Sequence, residues 1–192
     1  MFENLREDWQ TYGRDISRQG FWVMCVFRLG QWRYRLRPAL LRKLFSFVYR
    51  VLRTMVQIMT GIELHCETRV GRRLLIEHFG GIIISGDTVI GDDVVIRQGV
   101  TIGLRNTGLR GAPVIGNRVD IGAGAKLLGP IHVGDDAVIG ANAVVLTDVP
   151  AGALAVGVPA VIKLRRPQPA SSTADGLVEE FKMPGEAAGE PP

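Results

Sequence analysis

The sequence predicts a mainly β protein: a parallel β-helix preceded by an α-helical module. The first observation is a six-residue period. Aliphatic residues, usually followed by Gly or another small or polar residue, recur at Leu64, Val70, Ile76 and Ile82. After a slip of two they resume at Ile84, Ile90, Ile96 and Ile102, and then at Ile115, Ile121, Leu127, Val133, Ile139 and Val145. That period fits neither the 3.6 of an amphipathic helix nor the 2 of an ordinary strand. It fits short strands and tight turns wound around a narrow core, with three hexads to a coil and four to five coils in all. The second observation is 24 Gly in 192 residues, which suits a chain turning a corner every few positions. The third is that residues 1–60 lack the period and carry apolar residues at helical spacing.

In chain order, Phe21 to Arg35 and Ala39 to Met59 read as helices, with Pro38 between them suited to the first turn of the second. The second helix (LLRKLFSFVYRVLRTMVQIM) is unusually apolar. Packing on the first coil or on a partner subunit explains it, and so does a basic amphipathic surface resting on the inner membrane through residues 21–59. The β-helix domain spans 61–166. Residues 103–114 (GLRNTGLRGAPV) interrupt the hexads, so an excursion of about seven extra residues leaves the coil while the register holds. Insertions of this kind commonly build the binding face of a repeat fold. Beyond Arg166 the composition turns to Pro, Ala, Ser, Gly and Glu, and residues 167–192 are expected to be disordered.

Hydrophobic content of 46% excludes a disordered chain. The net charge of +4 is uneven, with basic residues clustered before residue 55 and at Lys163 to Arg166. An anionic partner follows, cofactor phosphates or a membrane surface, but not nucleic acid, for which no motif accompanies the charge. Cys25 and Cys66 lie in different modules and are expected as buried reduced thiols. No signal-like segment and no span of roughly 20 apolar residues occurs, so a cytoplasmic location is expected.

Three histidines bound the search for chemistry. His78, the third residue of IEHFGG, points away from the aliphatic core, beside Glu77 and before two glycines. Glu63 lies fifteen residues earlier, about one coil below, on the same surface. A carboxylate that holds one imidazole tautomer leaves the other nitrogen free as a general base. His65 suits capping or packing, and His132 an exposed turn. No cluster has metal-ligand spacing, and no metal is expected. Neither a serine nucleophile elbow nor a phosphate-binding loop is present, so direct transfer assisted by one base is the simplest chemistry available.

IEHFGG, IRQGVTIG, IGAGAKLLGPI, IGANAVVLTDVP and AVGVPA, with LREDW and GIELH before them, resemble the serine acetyltransferase branch of the hexapeptide-repeat acyltransferases. The resemblance covers residues 1 to about 165. It implies a left-handed parallel β-helix, a homotrimer with active sites between subunits, and acetyl-CoA as the acetyl donor in a groove between neighbours. It further implies His78 as the base and Glu63 as the residue that orients it. Ala123 and Ala141 would line the pantetheine path, where a larger side chain would block the groove, Gly103 would also contact the cofactor, and Lys163 or Arg165 would meet the phosphates.

The departures concern the acceptor. Family members acting on free serine carry an Arg-His pair just before the Pro that ends the excursion, and here those positions are Gly111 and Ala112. Glu63 and Glu77 are each one methylene longer than the matching aspartates. Losing a charge-assisted clamp costs roughly 1.5–3 kcal/mol per hydrogen bond. These changes resemble acetyltransferases that decorate exopolysaccharide (the colanic-acid type), so the leading expectation is a sugar hydroxyl on the polymer or its lipid-linked precursor. Glu77, Arg97, Arg105 and Arg110 are the candidate acceptor contacts. Serine O-acetylation in cysteine biosynthesis is the alternative, and a non-catalytic trimeric scaffold the third reading.

Overall fold

The computed structural model describes residues 2–106 and 111–164. Arg110, Arg165 and the 167–192 tail, each the subject of an expectation above, lie outside the described residues. The helical module has three helices, α1 (Phe2–Thr11), α2 (Gln19–Trp32) and α3 (Ala39–Thr60), with a 3-10 turn at Arg33–Arg35 closing α2. Pro38 precedes α3 in extended conformation, and Gly61, left-handed at φ 65°, ends it.

The first coil is β1 (Ile62–Leu64), β2 (Arg69–Val70) and β3 (Leu75–Ile76). The second is β4 (Ile82–Ile84), β5 (Val89–Ile90) and β6 (Val95–Ile96), and the third β7 (Thr101–Gly103), β8 (Val114–Ile115) and β9 (Asp120–Ile121). The fourth is β10 (Lys126–Leu128), β11 (His132–Val133) and β12 (Val138–Ile139), followed by β13 (Val144–Val145), β14 (Leu154–Val156) and β15 (Val161–Lys163). Strands three apart pair in parallel to make three faces. The first face is β1-β4-β7-β10-β13, the second β2-β5-β8-β11, and the third β3-β6-β9-β12-β14 with β15 added antiparallel. The hexad aliphatics stack inward, with Ile84, Ile102, Leu127 and Val145 fully buried. Each such side chain contributes about 1.5–3 kcal/mol relative to exposure.

Left-handed residues turn the corners. Where the second face meets the third, Arg73, Asp93, Arg118 and Asp136 are all left-handed (φ 55–59°) although none is Gly. Side-chain hydrogen bonds offset that cost. Arg73 Nε donates to Asp93 Oδ1 at 2.5 Å, and Arg118 makes a two-pronged pair with Asp136 at 2.7 and 2.8 Å. The described ends of the excursion, up to residue 106 and from Gly111, lie at the corner between the first and second faces, against the coil above. There Gly111 has φ +120°, and a Cβ on it would lie 2.6 Å from Pro130 Cβ.

The helical module is keyed to the first coil by polar contacts. The Tyr12 hydroxyl, fully buried, accepts the Ile76 backbone N–H at 3.0 Å. Arg28 of α2 donates to Asp8 of α1 at 2.9 Å and to the Gly71 carbonyl at 3.0 Å. Arg33 stacks over Tyr34 and Tyr49 and donates to Cys66 Sγ at 3.3 Å. These two arginines are therefore internal cations and do not belong to the exposed part of the N-terminal basic cluster. Both cysteines are free thiols, Cys66 buried and Cys25 half-buried, and burial pushes the Cys25 thiol up to about 11.

α3 packs on α2 through such pairs as Trp32 against Phe45, ring edge to face at 5.2 Å. Its opposite side leaves Leu40, Leu44, Phe47, Met55, Ile58 and Met59 more than half exposed. Among the described residues no helix is long and apolar enough to cross a membrane.

Candidate active site

The two-residue slip in the hexad frame is a bulge that holds His78. Ile76 pairs with Ile96 and Ile83 with Thr101, so six residues of the first coil span what four span in the second. Gly99 N–H donates to the Gly80 carbonyl, and Gly81 stacks over Gly99, so Gly80 and Gly81 stay in register. The two residues left over are His78 and Phe79. They protrude at the corner between the third and first faces, both exposed.

Above the bulge that corner is narrow. Gly124 N–H donates to the Gln98 carbonyl and Asn142 N–H to that of Ala123, each at 2.8 Å, which stacks Gly80, Gln98, Ala123 and Ala141 on successive coils. Beside them Gly81, Gly99, Gly124 and Asn142 are all left-handed. At Gly99 a Cβ would lie 3.3 Å from Gly124 Cα, so a side chain there would crowd the next coil. The result is a rail, small at every step but the exposed Gln98, running about 15 Å from the His78 coil to Ala141, at roughly 5 Å per coil. Lys163 lies exposed on β15 at the far end of the third face. Gly103 is buried on the first face, its carbonyl accepting Gly129 N–H at 2.9 Å.

Below the bulge the start of α2 closes a cleft of about 270 Å³ lined by Arg18, Gly20, Ile76, Glu77, His78 and Phe79. Arg97 Nε donates to Glu77 Oε2 at 2.8 Å, and its Nη1 bonds Asp120 on the coil above. Those carboxylates hold the Arg97 guanidinium still further above its usual range, the Asp120 hydrogen bond most of all. Arg97, expected as an acceptor contact, braces Glu77 next to the histidine in this structure.

Glu63 projects outward from β1, and its carboxylate is fully engaged. Oε1 accepts His65 Nε2 at 2.9 Å and Arg53 Nη2 at 3.4 Å, and Oε2 accepts Gln57 Nε2 at 3.2 Å. Among the described residues no hydrogen bond joins Glu63 to His78, and none holds the His78 ring. His65, expected to cap or pack, is the partner of the expected orienter. His132 is exposed as expected, on a strand rather than a turn, 3.8 Å from Asp148.

The structure does not bring the described residues of the excursion to the base within one chain. Arg105 and Gly111 lie at the corner between the first and second faces, over Gly129 and Pro130, whereas His78 is at the next corner round. Position 111 has no room for a side chain in this conformation and Ala112 is 9% exposed, so neither provides a charged group. The sequence reading missed Lys126, whose Nζ donates to the Gly99 carbonyl and to Thr101 Oγ1 beside the rail. It also missed Arg18, whose sequence neighbours give no hint that α2 begins against β3. Among the described residues no group of three His, Cys, Asp or Glu side chains could hold a metal ion.

Comparison with known proteins gives consistent relatives. Residues 112–147 match the bacterial transferase hexapeptide family (six repeats). The chain is 52% identical to the serine acetyltransferase of Helicobacter pylori over 127 residues, 65% of this chain and 73% of that protein. It is 34% identical to the serine acetyltransferase of Bacillus subtilis over 194 aligned positions, 94% of this chain and 88% of that one. A crystal structure of the Brucella abortus serine acetyltransferase in complex with coenzyme A superposes with a TM-score of 0.71 at 31% identity, covering 83% of this chain and 66% of that one.

Proposed function

Because the chain belongs to the hexapeptide-repeat acyltransferase family, with relatives named serine acetyltransferase, we propose that it transfers the acetyl group of acetyl-CoA to the hydroxyl of serine. The observation that carries the reading is His78, raised out of the coil on a two-residue bulge at the foot of the small-residue rail. The expectation of a sugar acceptor finds no support among the relatives, which are named for serine. It rested chiefly on Gly111 and Ala112.

The chemistry is direct transfer. His78 takes the proton of the acceptor hydroxyl as the oxygen forms its bond to the thioester carbonyl carbon. The tetrahedral oxyanion collapses, the C–S bond breaks, and the departing CoA sulfur takes the proton back from the imidazolium. Ala123 and Ala141 give the pantetheine arm a path that larger side chains would close, and Lys163 provides a cation for the phosphates. Glu63 is assigned to orient the base, a role that requires its carboxylate to give up His65 for His78.

A site completed between subunits of a homotrimer is supported by the described ends of the excursion, which stand at a different corner from the base in one chain. The exposed apolar side of α3 is a surface that a neighbouring copy covers. Light scattering gives the mass of the assembly, and sedimentation with anionic vesicles tests the peripheral membrane contact that the same helix suggests. Activity is tested by following CoA release from acetyl-CoA with serine and, separately, with saccharide acceptors. Turnover with serine that falls at least a hundredfold in His78→Ala is expected. Turnover with saccharides alone would sink the serine reading.

A further inference from the structure

We propose that Arg18 is the acceptor-carboxylate contact of this protein, taking the place of the clamp absent at Gly111 and Ala112. The inference rests on the serine reading and adds to it the residue that selects an amino acid. An acceptor that is a zwitterion needs a cation near the base. Arg97 is committed to Glu77 and Asp120, and Lys126 to the Gly99 carbonyl and Thr101. Among the residues lining the His78 cleft, Arg18 is the only cation. Its side chain is 52% exposed, and its ion pair, with Asp15 three residues before it, is loose at 4.0 Å. The guanidinium is therefore available to a ligand.

Its placement is not accidental to an exposed loop. Gly20 packs so closely on β3 that a Cβ there would lie 2.7 Å from the Ile76 carbonyl oxygen. The Ile76 N–H is held by the Tyr12 hydroxyl. Arg18 stands two residues before Gly20, and His78 two residues after Ile76, so one fixed junction sets both on the same cleft. Glu77, braced by Arg97, stands on the cleft as the anion for the acceptor ammonium. The cleft thus offers a cation, an anion and a base to the carboxylate, ammonium and hydroxyl of a hydroxy amino acid.

The test compares L-serine with L-serinamide, which lacks the carboxylate, in the wild type and in Arg18→Gln and Arg18→Lys. We expect Arg18→Gln to raise KM for serine about tenfold to a hundredfold, the range of one charge-assisted hydrogen bond, with KM for acetyl-CoA unchanged. The wild-type preference for serine over serinamide should collapse towards one, and Arg18→Lys should restore part of it. A serine KM and a serine preference within twofold of wild type in Arg18→Gln would overturn the assignment and leave the serine reading standing. A wild type that releases no CoA with serine would sink that reading and this assignment with it.

Discussion

Gly20 meets the Ile76 carbonyl: a Cβ at position 20 would lie 2.7 Å from that backbone oxygen and as close to the Tyr12 ring. Within a helix, Gly→Ala ordinarily gains about 1 kcal/mol from propensity. Here neither obstacle is a flexible side-chain end, so the helix must shift. Gly20→Ala is expected to destabilise the protein by about 1–3 kcal/mol, a fall of roughly 2–4 °C in Tm per kcal/mol for a chain of this size. Thermal melts of the two proteins check it, and an Ala variant as stable as wild type would remove the anchor on which the cleft depends.

The bulge makes a second prediction. Removing His78 and Phe79 together leaves Glu77 followed by Gly80 and restores the four-residue spacing seen between Ile96 and Thr101. The coil register above is already that of an unbulged corner, so the deletion is expected to keep Tm within a few degrees while abolishing CoA release. A deletion that unfolds the chain would mean that the bulge is part of the scaffold rather than an addition to it.

Asp8 and Arg28 lie in different helices and are 0% and 3% exposed. Breaking a buried pair from one side leaves an uncompensated charge, which typically costs 3–5 kcal/mol. Asp8→Asn is expected to show a loss of about that size in urea unfolding. The double variant combining Asp8→Leu with Arg28→Met should recover much of it, since both charges then leave the core together. The recovery will be incomplete because the Gly71 carbonyl loses its donor.

The hexad frame carried nearly all of the β-helix, because a residue's face in a coil is set by position modulo six. Its slip of two shows in the sequence only as a shift of frame, with Ile82 and Ile84 both inward on one strand, and the structure resolves it as the bulge that holds His78. What the frame could not carry was pairing between modules. Arg28 and Arg33 count as surface charge in any tally, and only the packing of α1 and α2 on the first coil shows them internal. The acceptor side failed for the same reason. Gly111 and Ala112 revealed a missing clamp, but a replacement from residue 18 depends on a helix start meeting β3 across nearly sixty residues of sequence. Spacing put Glu63 about one coil from the base, but its hydrogen bonds to His65, Arg53 and Gln57 depend on side-chain conformation that spacing does not encode.

The charged corner predicts a pH dependence of stability. Hydrogen bonds from Arg73 hold the Asp93 carboxyl below its ordinary value, and those from Arg118 do the same for Asp136. Asp92 and Asp135 are lowered as well, chiefly by the backbone N–H groups of Arg72 and Asn117. A carboxyl whose folded pKa lies below its unfolded value contributes stability above the unfolded pKa, about 3.9 for Asp. That contribution is lost as pH falls through the folded value. Tm should therefore stay nearly flat from neutrality to about pH 5 and fall below about pH 4, more gently at high salt because the groups are exposed and screened. The double variant combining Asp93→Asn with Asp136→Asn should start from a lower Tm at neutrality and lose less on acidification, because two of the groups responsible no longer titrate. Equal acid slopes for wild type and variant, measured by calorimetry at matched ionic strength, would show that the arginine-aspartate corner does not carry the acid sensitivity of the coil.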